Sequence, residues 1–135
     1  MTSFVDTNVV ISLLDEDHEH HMWCREQIAE ARENGPIVIT DIVYSEFSIG
    51  MASKADTDEA IAQLAFNRHR PSTEALFLAG RAFKTYKEQN NGTKNNVLPD
   101  FIIGAHAFSE ECSLITCNKK DFRGYFEDLA ITSPK

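Results

Sequence analysis

This 135-residue chain has little of what marks membrane, secreted or strongly basic proteins. No apolar run approaches the ~20 residues that a membrane-spanning helix needs. The first residues, from Met1 to Phe4, lack the basic and long apolar stretches of a signal peptide. The three cysteines form no CxxC or zinc-like pattern, which favours reduced thiols. Together these absences predict a cytoplasmic protein with no membrane partner.

The chain also lacks an excess of positive charge and any familiar nucleophile. Its formal net charge of −8 argues against a protein that binds nucleic acid only by neutralising phosphates. That charge does not exclude an enzyme whose bound metal ions reverse the local field. No Ser-His-Asp or Cys-His arrangement is recognisable, and the six glycines form no phosphate-binding loop. Any hydrolytic chemistry must therefore come from other groups.

What is present is an alternation of short apolar strands and amphipathic helices, over a length that suits one domain, residues 1–135. Such alternation predicts an α/β sandwich with a central, mostly parallel sheet of four to five strands. The predicted strands cover residues 3–6, 37–39, 113–117 and 129–131. The predicted helices cover residues 9–14, 19–33, a segment from Thr40 or Asp41, 57–66, a long segment from Ser72 or Thr73, 100–111 and a turn near 119–125. Residues 67–71 are predicted to be a polar break and residues 90–96 a polar loop.

Acidic residues stand at four separate places in this pattern. Asp6 ends the first strand, and Glu46 lies within an apolar helix. Asp100 opens the apolar segment after Pro99, and Asp121 follows the strand at 113–117. In parallel α/β sheets, ligands bind beyond the carboxyl ends of the strands, where such residues gather. Converged in one pocket, these carboxylates would form an oxygen-rich site of the kind that holds Mg²⁺ or Mn²⁺.

Each acidic residue also has a simpler structural interpretation. Asp6 and Asp100 are in positions that suit helix caps, and Asp121 suits a turn. Glu46 is harder to explain in this way, because it lies beside an apolar layer and no Lys or Arg is within one helical turn of it. A carboxylate left unpaired in such surroundings is costly. Asn118, directly after the strand, can coordinate a cation through its amide oxygen or orient a water molecule.

The order of these motifs resembles that of the PIN-domain ribonucleases, and most closely the VapC-type toxins of bacterial and archaeal toxin–antitoxin pairs. The resemblance spans essentially the whole chain, from Phe4 through the final strand. The segments that carry it are Asp6-Thr7-Asn8, the helical Glu46, Pro99-Asp100 followed by Ile103, Ala105 and Ala107, and the run from Leu114 to Phe122.

The resemblance implies a PIN-like three-layer sandwich and Mg²⁺- or Mn²⁺-dependent endonucleolytic cleavage of RNA, often structured RNA such as tRNA. By the resemblance, Asp6, Glu46 and Asp100 match three acidic positions of the metal site. The fourth position is usually acidic; here it holds Asn118, with Asp121 three residues further on. We expect Asn118 to bind the metal directly or through water, and Asp121 to support it or cap the next turn. A homodimer and a cognate antitoxin protein are also implied.

Two other interpretations remain open at this point. One is another Mg²⁺-dependent α/β phosphate protein. A haloacid-dehalogenase-like phosphatase would need a second acid where Asn8 stands, whereas a receiver domain would use Asp41 as its phosphoacceptor. The other is a non-catalytic PIN-like scaffold that only binds RNA or a partner, which Asn118 suggests.

Overall fold

The computed structural model describes residues 1–90 and 97–135 and contains a five-stranded parallel sheet in the order β3-β2-β1-β4-β5. The strands are β1 (Ser3–Val5), β2 (Ile37–Thr40), β3 (Asn67–His69), β4 (Ser113–Ile115) and β5 (Ile131–Thr132). The helices are α1 (Thr7–Leu13), α2 (His21–Asn34), α3 (Asp41–Ser48), α4 (Lys54–Leu64), α5 (Thr73–Asn90) and α6 (Leu98–Ser109), with a 3₁₀ turn at Lys119–Asp121. The predicted α/β class with a parallel sheet is confirmed.

The central strand β1 and its neighbour β2 are buried on both faces, as expected for a parallel sheet covered by helices. Consecutive residues Phe4 and Val5 of β1 are both fully buried, and so are Val38 and Ile39 of β2. Since consecutive side chains of a strand point to opposite faces, helices must cover each side. None of the helices in the described ranges combines the length and hydropathy that crossing a bilayer requires.

The sequence interpretation was wrong about one strand. Residues 67–71 were predicted to be a polar break, but Asn67–His69 form β3, which pairs in parallel with β2. The strand lies at the edge of the sheet, and its side chains are exposed or only half-buried. Apolar patterning is therefore absent, and the strand is defined by backbone pairing with β2 alone.

Several element boundaries also differ from the prediction. Helix α4 begins at Lys54 rather than near residue 57, because the Ser53 side chain accepts a hydrogen bond of 3.0 Å from the Asp56 backbone and caps the helix. Helix α6 begins at Leu98, so Asp100 is its third residue rather than its first. Strand β5 covers Ile131–Thr132 instead of residues 129–131. The predicted loop at 90–96 lies outside the described residues, except that residue 90 ends α5.

Helix α6 approaches the C-terminal segment closely through Gly104. A Cβ atom at this position would lie 2.5 Å from Cε2 of Phe126 and 3.0 Å from Cδ1 of Phe122. Gly104 lies in α6 together with two further small residues, Ala105 and Ala107. The two alanines are fully buried, but the close approach at Gly104 is to aromatic rings that follow β4. This contact fixes the position of the helix that carries Asp100.

A buried polar network connects α6 to the ends of β2 and β3. The imidazole of His106 is fully buried, and its Nδ1 contacts the hydroxyl of Thr40 while its Nε2 lies 2.6 Å from Glu110 Oε2. The other carboxylate oxygen of Glu110 lies 3.1 Å from Nδ1 of His69. Buried polar groups need such partners. The network thus anchors α6 against the start of α3, the helix that carries Glu46.

Candidate active site

Asp6 is fixed in place at the end of β1 by two hydrogen bonds. It is the N-cap residue of α1, and its Oδ1 accepts a 2.7 Å bond from the backbone N–H of Thr7. Its Oδ2 accepts a 2.7 Å bond from the hydroxyl of Thr116, which follows β4. Only 4% of Asp6 is exposed. The cap interpretation and the site interpretation of Asp6 are therefore compatible, since one carboxylate oxygen serves the helix and the other faces the end of β4.

Glu46 lies half-buried on α3 and is held through Thr7. The Thr7 hydroxyl donates a 2.7 Å hydrogen bond to Oε1 of Glu46. Since Thr7 also donates its backbone N–H to Asp6, this one residue holds both carboxylates. The sequence places no Lys or Arg within one helical turn of Glu46. Within residues 1–90 and 97–135, no Lys or Arg forms an ion pair with Glu46, Asp6 or Asp100.

Asp100 enters the same region from the first turn of α6. Its Oδ2 accepts a hydrogen bond of 3.4 Å from the backbone N–H of Val97, so it also serves the helix start. The side chain is half-buried. As with Asp6, a helix-terminal role leaves carboxylate lone pairs available for a further ligand.

Asn118 and Asp121 both follow β4 but differ in their surroundings. Asn118 is exposed, and its backbone N–H donates a 3.0 Å bond to the Thr116 hydroxyl. Asp121 ends the 3₁₀ turn and is half-buried. Next to burial, the charge of Asp121 is the largest influence that raises the pKa of Asp100. The charge of Asp121 therefore acts on a proposed ligand, which the sequence alone did not indicate.

The acidic side chains repel one another and are partly withdrawn from water. Burial raises the pKa of Asp6 to about 7, with further increases from the charges of Asp100 and Glu46, while hydrogen bonds from Thr116 and Thr7 oppose the rise. Burial likewise raises the pKa of Asp100 to about 6, and Asp121 and Glu46 add to it. The charges of Asp100 and Glu46 thus act on Asp6, and those of Asp121 and Glu46 act on Asp100.

The chemistry of this group fits a hard divalent cation. The available donors are carboxylate and amide oxygens, which suit Mg²⁺ and Mn²⁺, and a cation would relieve the repulsion between Asp6 and Asp100. The type and the charge of the donor atoms fit such a cation, whereas these side chains do not form a complete coordination shell. Among the described residues, no three His, Cys, Asp or Glu side chains are grouped closely enough to hold a metal ion as they stand.

The sequence analysis missed the residues that position the carboxylates. The hydroxyl of Thr7 contacts Glu46, and the hydroxyl of Thr116 contacts Asp6. The Oδ1 of Asn8 accepts a 3.1 Å bond from the backbone N–H of Cys117, which joins α1 to the segment after β4. The contacts of Thr116 and Cys117 arise from the pairing of β1 with β4, since their partners are 110 and 109 positions away in the sequence, and the Thr7–Glu46 contact spans 39 positions.

An open groove with a volume of about 610 Å³ begins beside the acidic group. Thr7 and Glu46 line it on one side, and Ile49 on its wall is 84% exposed. The other lining residues, from α1, α3 and the turn that follows α3, are Ile11, Leu14, Asp15, Phe47, Gly50 and Met51. The groove is thus mainly apolar, with two acidic lining residues, Glu46 and Asp15.

The PIN domain family profile matches residues 3–126, so the chain belongs to the PIN-domain family. No curated protein sequence matches it significantly. Among solved structures, it is similar to VapBC-1 of nontypeable Haemophilus influenzae, with a TM-score of 0.72, 25% identity and 98% of each chain covered. It is also similar to VapBC2 of Rickettsia felis, solved bound to a promoter DNA fragment, with a TM-score of 0.71, 22% identity and 100% of each chain covered.

A third relative is VapC20 of Mycobacterium tuberculosis, described as a toxin that cleaves the sarcin–ricin loop. It has a TM-score of 0.64 and 12% identity, with 95% of this chain and 98% of that chain covered. The predicted resemblance to VapC-type PIN proteins is confirmed by the family match and by these structures. Membership of this family supports the assignment of the protein as a nuclease.

Proposed function

We propose that this protein is a Mg²⁺- or Mn²⁺-dependent endoribonuclease and the toxin of a toxin–antitoxin pair. The observation that carries the proposal is the set of Asp6, Glu46 and Asp100, which come from three elements and have no Lys or Arg as ion-pair partner in the described ranges. Burial raises the pKa of Asp6 and of Asp100, and the neighbouring carboxylates raise both further. Such a group is costly to a fold unless it serves a cation.

The ligands we propose are Asp6, Glu46 and Asp100, with Asn118 or Asp121 completing the site. A divalent cation bound there supplies Lewis acidity and lowers the pKa of an attacking water. The protein's own contribution is positioning. Thr116 and the Thr7 backbone hold both oxygens of Asp6, so its lone pairs point in fixed directions. Burial of Asp6 keeps bulk water away from one side of the group.

The substrate class we propose is structured RNA, such as tRNA. Two exposed lysines, Lys119 and Lys120, lie in the same 3₁₀ turn as Asp121. Cations next to an acidic metal site suit the phosphates that flank a scissile bond. The description of VapC20 as a toxin that cleaves the sarcin–ricin loop supports a nucleolytic role of this kind.

An antitoxin protein is the partner we propose for the groove. Apolar side chains of the groove suit the apolar face of a bound peptide, and its acidic residues, Glu46 and Asp15, suit a basic residue of that peptide. The net charge of −8 favours a basic partner more generally. The relatives from Haemophilus influenzae and Rickettsia felis are VapBC complexes.

We also propose a homodimer, for which the exposed Leu76 and Phe77 of α5 offer apolar contact area.

The receiver-domain and phosphatase alternatives each depend on one residue, Asp41 and Asn8 respectively. A receiver-type phosphoacceptor role is disfavoured because Asp41 is ion-paired with Arg68 and Arg70, at 3.3 and 3.7 Å. A phosphatase role is disfavoured because Asn8 uses its side-chain oxygen for the Cys117 backbone. A non-catalytic PIN scaffold remains the second candidate, because Asn118 replaces the usual acid.

The proposal is tested by incubating the purified protein with total RNA, with Mn²⁺ and with EDTA. We expect cleavage only with the metal, and none from Asp6→Asn or Asp100→Asn. Asp128→Asn is the matched control, because it removes an exposed carboxylate outside the site and should cleave like the wild type. Full cleavage by Asp6→Asn, in a preparation free of contaminating nuclease, would reject the assignment. Inactivity of the wild type on every RNA, with intact RNA binding, would favour the scaffold.

A further inference from the structure

Two cysteines that the proposed chemistry does not use lie next to each other. Sγ of Cys24, on α2, is 3.6 Å from Sγ of Cys117, which directly follows β4. Cys24 is fully buried and Cys117 is half-buried, and the two are 93 positions apart in the sequence. The fold therefore places two free thiols in contact at the edge of the candidate active site.

We propose that Cys24 and Cys117 form a reversible oxidation site, which a peroxide-class oxidant converts into an intramolecular disulfide. In this reaction one S–S bond forms, while two S–H bonds and the O–O bond of the peroxide break. Each sulfur gives up one electron. The peroxide takes both electrons and both thiol protons; hydrogen peroxide leaves as two water molecules, and an organic hydroperoxide leaves as one alcohol and one water. A dithiol reductant reverses the change.

The geometry requires only a small displacement. A disulfide has an S–S distance of about 2.05 Å, so the two sulfurs must approach by roughly 1.5 Å. Cys117 belongs to a half-buried segment outside regular secondary structure, whereas Cys24 is held within α2. The movement is therefore expected mainly at Cys117. The hydrogen bond from Cys117 also lowers the pKa of the Cys24 thiol, which favours the thiolate that disulfide formation requires.

The third cysteine provides an internal control. Sγ of Cys112 lies 3.3 Å from the backbone oxygen of Glu110, in the segment between α6 and β4. It takes no part in the Cys24–Cys117 contact. Its thiol should therefore remain free when the pair is oxidised.

Oxidation would reach the candidate active site through the neighbours of Cys117. Thr116, one residue earlier, holds Oδ2 of Asp6, and the backbone N–H of Cys117 bonds to Asn8. Drawing Cys117 toward α2 strains both hydrogen bonds. Because ångström-scale misplacement of catalytic groups lowers rates strongly, we expect the oxidised protein to cleave RNA more slowly. This consequence rests on the proposed nuclease function, whereas disulfide formation does not.

The disulfide is tested by treating the purified full chain with hydrogen peroxide, alkylating the remaining thiols and mapping the peptides by mass spectrometry. We expect a linked peptide pair containing Cys24 and Cys117, lighter by two hydrogens, with Cys112 alkylated. Cys112→Ser should keep the link, and Cys117→Ser should abolish it. Three alkylated thiols after oxidation, or a link through Cys112, would overturn the proposal. The wild-type map decides the matter even if a variant fails to fold.

The effect on activity is tested by comparing the RNA cleavage rates of the oxidised and reduced proteins. We expect a loss of roughly tenfold or more on oxidation, recovery with dithiothreitol, and no oxidant response in Cys117→Ser. A disulfide that forms without changing the rate would overturn the coupling to the site. If the reduced protein does not cleave RNA, the nuclease assignment fails, and the peptide map still decides whether the disulfide exists.

Discussion

The hydroxyl of Thr116 donates a 2.7 Å hydrogen bond to Oδ2 of Asp6, which joins the end of β4 to the end of β1. Thr116 is fully buried and Asp6 nearly so. The hydrogen bond stabilises the ionised carboxylate and opposes the rise in its pKa that burial causes. Thr116 therefore controls both the orientation and the charge of the central acidic residue.

Replacing Thr116 with Val should raise the pKa of Asp6 still further, because the shape is kept and the donor is lost. We expect the acid limb of the pH–rate profile for RNA cleavage to move to higher pH, with a stability loss of about 1–3 kcal/mol. Thr7→Val is the matched control, because it removes a hydroxyl that contacts Glu46 but keeps the Thr7 N–H on Asp6. A shift of the acid limb as large in Thr7→Val would contradict the role given to Thr116.

The stability of the metal-free protein should fall as the pH rises from about 4 to about 7. The pKa of Asp6 is raised from 3.8 to about 7 in the folded protein. The folded state therefore binds the proton more tightly than the unfolded chain across that window, and ionisation favours unfolding. The fall due to Asp6 is up to about 4 kcal/mol. Urea unfolding at a series of pH values measures it.

Asp6→Asn isolates this contribution, since the amide does not titrate and still caps α1. Its free energy of unfolding should vary less steeply over the same pH window. Parallel curves for the two proteins would show that Asp6 ionises normally.

Asp121 and Asn118 should contribute unequally to metal binding. The sequence placed Asn118 closer to the metal, but the charge of Asp121 acts on Asp100 and its own pKa is raised by burial. We now expect Asp121→Asn to reduce the Mn²⁺-induced rise in melting temperature more than Asn118→Ala does, because ligand binding stabilises in proportion to affinity. Asp100→Asn serves as the reference for a lost ligand. The opposite order would restore Asn118 as the fourth ligand.

An acidic side chain in the apolar groove should weaken antitoxin binding without changing cleavage. Ile49 is 84% exposed and lines the groove. Ile49→Asp removes apolar contact area and adds a charge that the antitoxin's apolar face must desolvate. Met22→Asp is the control, since Met22 is exposed and lies outside the groove lining. Co-purification with the co-expressed antitoxin measures the effect. Equal complex yields from both variants would place the antitoxin elsewhere.

Gly104→Ala should destabilise the protein by about 1–3 kcal/mol, as overpacked cores do. The added Cβ would meet the ring of Phe126 at 2.5 Å, in a buried contact. Gly80→Ala is the matched control, because Gly80 lies within α5 and nothing is within 4 Å of its added Cβ. Helix propensity predicts that this control is stabilised by up to about 1 kcal/mol. Chemical unfolding of both variants makes the comparison, and equal changes would contradict the packing argument.

The sequence predicted the elements of this fold where apolar patterning or capping residues mark them. Strands β1, β2 and β4 are apolar and buried, and the predicted start of α5 is confirmed by Ser72, whose hydroxyl accepts from Ala75. Strand β3 escaped prediction because its polar residues lie at the sheet edge and are ordered by the backbone of β2. Local sequence carries no signal for such pairing.

The acidic residues of the candidate site could be predicted from the sequence, but the residues that hold them in position could not. The motif order identified Asp6, Glu46 and Asp100 as site residues, and that assignment remains a prediction. The hydroxyl of Thr116 and the imidazole of His106 act across long sequence separations, on Asp6 and Thr40 respectively. A single sequence indicates which residues are unusual, whereas only the folded chain shows which distant donors they contact.

The order of these parts along the chain has a consequence for protein synthesis. Domains tend to fold from the N-terminus as they leave the ribosome. A nascent chain that ends after α5 already carries Asp6 and Glu46, but it has neither α6 nor Thr116, whose bond to Asp6 spans 110 positions. The proposed site thus stays incomplete until the segment that contains α6 and Thr116 has also been translated. A nascent chain that stops short of this segment carries only part of the proposed metal site.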